Sequence, residues 1–223
     1  IEEDPVLFLD EATLVDVGKN VRGGNPVLFP SPGKLAGDRY ERGGAAGEMG
    51  QHGFARNLPW AVTEVGGDEV TLRLASNDRT RAVFPWEFVA TYRHRLRGST
   101  LRIDQRFESS GPSPMPFGAG FHPYFHIPSA GKGKARVPTA ATRAWDNAKK
   151  DVIALAGPID LTAPEVDLHL LDHGQSHATL ERGDGRRIEL RASPEFRRWV
   201  VWTLAGRDFV CLEPWTCPAN ALN

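Results

Sequence analysis

"FVATYRHRLRGSTLRIDQRF", Phe88 to Phe107, repeats with a period of two rather than 3.6. Phe88, Ala90, Tyr92, His94 and Leu96 alternate with Val89, Thr91, Arg93, Arg95 and Arg97. After Gly98-Ser99, Leu101, Ile103 and Phe107 resume with Arg102, Asp104 and Arg106 between them. Successive strand side chains point to opposite faces, so the pattern predicts a β-hairpin with one wet face. Its arginine stripe reads as a solvated sheet face, because Asp104 interrupts it, and His94 reads as a satisfied histidine of the apolar face.

The same reading extends outward. "WAVTEV" pairs with "VTLRLAS" across Gly66-Gly67-Asp68, and "HATLER" with "RIELRAS" across Gly183-Asp184-Gly185, where glycine supplies the positive φ of tight turns. "RWVVWTLAG" and "DFVCLEPW" are short apolar runs rich in valine and aromatics, expected as strands covered on both faces. Twenty-three glycines and 17 prolines interrupt the chain too often for long amphipathic helices. Arg22 to Gly50 is expected as an ordered loop. The fold class is therefore all-β, a large antiparallel β-sandwich, and 223 residues fit one such domain over residues 1–223. The chain opens on Ile1, so its natural N-terminal end is expected to be missing.

Twenty-seven basic side chains oppose 28 acidic ones, which gives no reason to expect nucleic acid or an anionic membrane as partner. The expected partner is a small molecule. Cys211 and Cys217 are the only cysteines, read as reduced thiols. No apolar run reaches the roughly 20 residues of a membrane helix, and "IEEDPVLFLD" is acidic where a signal peptide is basic, so a cytoplasmic protein is expected.

"GFHPYFHIP", Gly120 to Pro128, carries His122 and His126. Four apart on a helix they could share a metal; on a strand they stand about 13 Å apart. Pro123 pushes His122 out of the helical region, so the zinc pair is disfavoured and His122 is placed at a strand end or edge. An imidazole fixed among Phe121, Tyr124 and Phe125 can give or take a proton near neutral pH; the bland alternative is a half-buried histidine bonded to a backbone carbonyl. "CLEPWT" places Glu213 directly before Pro214, where its carboxylate is expected to emerge as a buried strand stops. A glutamate and a histidine, with ordinary pKa values of about 4.3 and 6.5, make a base and acid that need no cofactor. No Walker A, dinucleotide fingerprint, GxSxG elbow or paired CxxC is present.

"NPVLFPSPGKLAGDRY", "QHGFARNLPW", "MPFGAGFHPYFHIP" and "VCLEPWTCPANALN", in this order, resemble the aldose 1-epimerase (galactose mutarotase-like) family from about Leu14 to the last residue. The resemblance implies an antiparallel β-sandwich that interconverts the α and β anomers of aldoses, some members acting on hexose 6-phosphates. It implies that Glu213 is the base that deprotonates the anomeric hydroxyl and His122 the acid that protonates the ring oxygen. It matches His52 to a histidine that bonds the sugar near its ring oxygen, and Asp167 to an aspartate that holds ring hydroxyls, with Asp160 and Asp172 as neighbours that could fill that place. Arg56 is a phosphate or hydroxyl contact, or a surface ion pair. Lys34 stands where the family often has arginine, and lysine cannot make the planar two-point contact. Glu108, Ser109 and Ser110 stand where an asparagine is common, and the chain stops at "NALN" where relatives usually continue.

Two readings compete with catalysis by this pair: a sugar-binding protein that keeps the cleft without turnover, and a metal-dependent isomerase built on His169, Asp172, His173 and His177. In "DLHLLDHGQSH" the leucines and Gly174 favour a strand and turn over the helix such a site needs. Trp86, Trp145 and Trp215 could stack on a sugar, or simply pack.

Overall fold

In the computed structural model, residues 5–15 and 20–223 are described. Antiparallel strands dominate. In chain order they are β1 (Val27–Leu28), β2 (Arg39–Arg42), β3 (Ala45–Glu48), β4 (Ala61–Gly66), β5 (Glu69–Ala75), β6 (Phe88–Arg97), β7 (Thr100–Ser109) and β8 (Gly120–Phe121). There follow β9 (Tyr124–His126), β10 (Arg143–Asp146), β11 (Asp151–Ala154), β12 (Glu165–Leu170), β13 (His177–Glu181), β14 (Arg187–Arg191), β15 (Arg198–Leu204) and β16 (Phe209–Trp215). No helix among the described residues is long and apolar enough to cross a membrane.

The chain forms two compact units, one reaching to Leu28 and resuming over Gly118–Pro218, the other comprising Phe29–Phe117 with Ala219–Asn223. In the second unit, β4 to β7 form a four-stranded sheet in sequence order, and β2 pairs with β3. The β6–β7 hairpin turns at Gly98-Ser99 as its alternation requires, with Gly98 at φ 55°. Its arginines are paired: Arg93 with Glu69, Arg97 with Asp68, Arg106 with Glu108, and Arg95 and Arg102 both with Asp104. Such exposed pairs stabilise little individually, but they neutralise the stripe locally. His94 departs from the expected satisfied histidine: it is only half-buried, and its Nδ1 is enclosed without a hydrogen-bond partner. The segment expected as loop carries β2 and β3. Arg39–Arg42 and Ala45–Glu48 lack apolar alternation, so the pairing draws on Tyr40, which is buried and donates to Val83 O at 2.9 Å.

In the first unit an eight-stranded sheet runs β1-β8-β16-β15-β12-β10-β11, with β9 also pairing β16. Register and pleat together sort its side chains. Leu168 opposes Val201, Leu170 opposes Trp199, and Val201 opposes Leu212, so these residues share one face. That face is apolar and joins Phe125, Ile127, Val210 and, from the β13–β14 hairpin, Ala178 and Leu180 in one buried cluster. The intervening residues belong to the other face: Asp167 opposite Trp202, His169 opposite Val200, Val200 opposite Glu213, and Trp202 opposite Cys211. The core thus decides which side chains are left for chemistry.

Candidate active site

β16 is paired with β15 along one edge. Along the other, Phe209, Val210 and Cys211 pair with β9 and Trp215 pairs with Gly120 of β8, leaving Glu213 opposite the break between β8 and β9. His122-Pro123 is that break. Proline has no N–H for a ladder bond, and His122 N donates instead to Pro26 O at 3.0 Å. The His122 ring consequently meets Glu213, with Nε2 3.3 Å from Oε1.

Glu213 does not emerge at a strand end as its sequence context predicts. β16 continues through Pro214 to Trp215, and Glu213 is 1% exposed. The reason lies in strand alternation. Thr216 N donates to Ala119 O across the β8 edge at 2.9 Å, so Pro214, two residues earlier, turns its missing N–H to the same edge, where the break asks for no ladder bond.

Each half of the pair is held separately. Trp215 Nε1 donates to Glu213 Oε2 at 3.0 Å, which aims Oε1 at the histidine. Tyr124 stacks on the His122 ring at 4.7 Å and 13°, and Trp202 meets it edge-on at 5.5 Å. Arg22 lies over the Trp202 ring at 5.7 Å, a cation–π contact that brings positive charge to this face. Cys211, two residues before Glu213 on the same face, is wholly buried; burial raises its thiol pKa well above the ordinary value, and the Glu213 carboxylate raises it further.

Asp167 and His169 continue the polar face on β12. Asp167 Oδ1 lies 3.4 Å from His169 Nε2, Asn147 Nδ2 donates to Asp167 Oδ2 at 2.7 Å, and His169 meets the Trp215 ring edge-on at 5.0 Å. Side-chain exposure rises from 2% at Glu213 through 9% at His122 and 11% at His169 to 19% at Asp167, so the row leads from a buried carboxylate toward solvent. The other two aspartates are committed elsewhere, Asp160 to a local turn and Asp172 to the segment that enters β10. Asp160 accepts from Thr162 Oγ1 at 2.6 Å and Thr162 N at 2.9 Å. Asp172 accepts from Thr142 Oγ1 at 2.6 Å, Thr142 N at 2.9 Å and Arg143 N at 3.1 Å.

Those bonds, the Thr142 hydroxyl foremost, hold the Asp172 carboxyl at about 2, below its ordinary 3.8. A depressed carboxyl stabilises the fold above its unfolded pKa, and the contribution disappears as pH falls through the folded value. Asp172→Asn should therefore lower the urea midpoint at pH 7, with the gap to wild type closing between about pH 4 and 2. A gap of equal size at pH 7 and pH 2 would contradict this role.

The histidines proposed as a metal site are not brought together. His173 is engaged by Thr139 Oγ1 at Nδ1, 2.9 Å, and by His177 O at Nε2, 2.8 Å, while His169 sits on β12 beside Asp167. Among the described residues, the metal-capable grouping is His122, Cys211 and Glu213.

His52, Arg56 and Lys34 belong to the second unit. His52 N donates to Gly33 O at 2.8 Å, its Nδ1 accepts from Gly33 N at 3.0 Å, and its Nε2 lies 3.2 Å from Gln51 Nε2. Arg56 Nη2 donates to Gln51 O at 3.1 Å, and the exposed Lys34 lies 3.8 Å from Asp38. Trp86 packs with Tyr40 and Phe84, and Trp145 donates to Asn147 Oδ1 at 3.4 Å.

The profile of the aldose 1-epimerase family matches residues 18–223, nearly the whole chain. The chain belongs to the aldose 1-epimerase family. Among relatives of this epimerase-family chain, a Salmonella typhimurium protein named "Putative glucose-6-phosphate 1-epimerase" is 31% identical over 131 residues, covering 57% of this chain and 40% of that protein. The chain spans about two fifths of the length of the curated relatives it matches. Of solved structures, the Slr1438 protein of Synechocystis sp. PCC 6803 is 38% identical with a TM-score of 0.93, covering 100% of this chain and 78% of that one. A galactose mutarotase related enzyme of Lactobacillus acidophilus is 25% identical with a TM-score of 0.69, covering 86% and 70% respectively. The antiparallel β architecture is thus that of galactose mutarotase-like proteins.

Trp215 and Trp202 as contacts of Glu213 and His122, and Asn147 and His169 as contacts of Asp167, were not singled out by sequence reasoning. Trp215 carried a readable signal: it lies two residues beyond Glu213 in a strand, hence on the same face.

Proposed function

We propose that the protein is an aldose 1-epimerase, with Glu213 as general base and His122 as general acid. The observation that carries this reading is the 3.3 Å approach of His122 Nε2 to Glu213 Oε1. The anomeric hydroxyl and the ring oxygen of a pyranose are bonded to the same carbon, so an acid and a base acting on them must stand side by side. Glu213 Oε1 takes the hydroxyl proton as His122 Nε2–H protonates the ring oxygen; the C1–ring-oxygen bond breaks and the aldehyde forms. After rotation about C1–C2, the same two groups run the transfers in reverse and close the ring on the other face.

Asp167 is proposed to hold ring hydroxyls, oriented by Asn147; the hydrogen bonds that already engage Asp160 and Asp172 favour it over those two. His52, Arg56 and Lys34 are proposed as further sugar contacts on the family resemblance alone. The substrate class is a hexose, free or 6-phosphorylated, and glucose 6-phosphate is the first to assay because it appears in the relatives' name.

The test is the decay of optical rotation of freshly dissolved α-anomers of glucose, galactose and glucose 6-phosphate. Acceleration for at least one sugar is expected, and none for any would overturn the reading. Asp167→Asn should raise KM about tenfold, as loss of a charge-assisted hydrogen bond of about 1.5 kcal/mol implies, with a smaller change in kcat. An unchanged KM would remove Asp167 from the sugar site.

A further inference from the structure

Three different donor types meet at the proposed acid–base pair. The His122, Cys211 and Glu213 donor atoms all lie within 4.8 Å of one another, and all three residues are buried. Pleat alternation sets Cys211 and Glu213 on one face of β16, while the His122-Pro123 break brings the imidazole in from the neighbouring edge. An imidazole, a carboxylate and a thiol form the mixed nitrogen, oxygen and sulfur set that zinc-class ions favour. Bond lengths of about 2.0–2.3 Å around a tetrahedral centre place neighbouring donors about 3.4–3.6 Å apart. His122 Nε2 and Glu213 Oε1 already stand at 3.3 Å. With every separation inside 4.8 Å, a side-chain shift on the order of 1 Å in the thiol arm completes the geometry.

We propose that His122, Cys211 and Glu213 form a capture site for a thiol-seeking divalent cation, zinc or cadmium, whose occupancy blocks sugar turnover. Capture itself follows from the donor geometry; its inhibitory consequence rests on the proposed roles of His122 and Glu213. The ion takes its bonds from Nε2, Oε1 and Sγ, and the two protons it displaces, one from Nε2 and one from the thiol, go to solvent. Nε2 and Oε1 are the atoms assigned to the ring oxygen and the anomeric hydroxyl, so ion and sugar exclude each other. Trp215 stays bonded to Oε2 and keeps Oε1 aimed at the ion.

The test uses cobalt as a coloured stand-in for zinc. Cobalt added to the intact protein should give the near-ultraviolet thiolate-to-cobalt charge-transfer band with the visible bands of a tetrahedral site. Cys211→Ala should abolish the charge-transfer band, Cys211→Ser should do the same with less change in packing, and Cys217→Ala should leave it in place. Zinc should inhibit anomer exchange competitively with sugar, and Cys211→Ser should raise the half-inhibiting zinc concentration at least tenfold. A wild-type protein with no such band, or a band that survives Cys211→Ser, overturns the site. A band in a protein without anomer exchange would leave the site standing and remove the epimerase reading. Exchange without a band would do the opposite.

Discussion

Glu213→Gln and His122→Asn are each expected to slow the exchange of sugar anomers by about 10² or more while leaving the fold intact. Glutamine keeps the shape of the carboxylate and can still accept from Trp215 Nε1, but it cannot take a proton from the anomeric hydroxyl. Asparagine can occupy much of the imidazole's place between Tyr124 and Trp202 without titrating near neutral pH. Both replacements remove one half of a coupled proton transfer, so each should appear chiefly in kcat, in contrast to Asp167→Asn, which should act on KM. Circular dichroism and a urea midpoint check that the loss is chemical. Rates within threefold of wild type in both variants would remove the pair from the mechanism.

Gly53→Ala is expected to destabilise the protein by about 2–5 kcal/mol. Gly53 has φ 72°, a region that costs a residue with a Cβ roughly 1–2 kcal/mol. A Cβ built there would also stand 2.2 Å from Phe29 O and 2.5 Å from Phe29 C, backbone atoms that no side-chain rotation can move aside, and forced overpacking costs about 1–3 kcal/mol. The close approach exists because Phe29 and Gly53 form a β-bridge while Phe54 N and Ala55 N both donate to Phe29 O, at 3.1 and 3.2 Å. Phe29 is fully buried, stacked on Phe107 at 5.1 Å and edge-on to Phe88 at 5.0 Å, so it cannot retreat cheaply. For a chain of this size the loss corresponds to a Tm drop on the order of 10 °C. Gly50→Ala, with nothing within 4 Å of its added Cβ and no positive φ, is the control and should stay within about 0.5 kcal/mol of wild type. Equal midpoints for the two variants would contradict the strain assigned to Gly53.

What was legible in the sequence was local. The β4–β5, β6–β7 and β13–β14 hairpins announce themselves because alternation and a glycine turn lie within one short window. The β2–β3 hairpin did not, since "RYER" and "AAGE" carry no apolar alternation and owe their pairing to a buried tyrosine. At the candidate site, Pro123 correctly predicted that His122 would stand at a strand end, directly after β8. Pro214 misled, because a proline inside a strand ordinarily signals its end. Here it is tolerated opposite a second proline-made break, 91 residues away in sequence. Trp202 meets His122, and His169 lies beside Asp167, through strand register between distant segments, and register of that kind follows from which faces the whole core buries.

The most direct measurement is NMR saturation transfer between the two anomeric proton signals of a hexose at equilibrium with the protein. Transfer is expected with wild type and should be lost in Glu213→Gln although the sugar still binds. Binding without transfer in wild type, or undiminished transfer in both Glu213→Gln and His122→Asn, would contradict the mechanism.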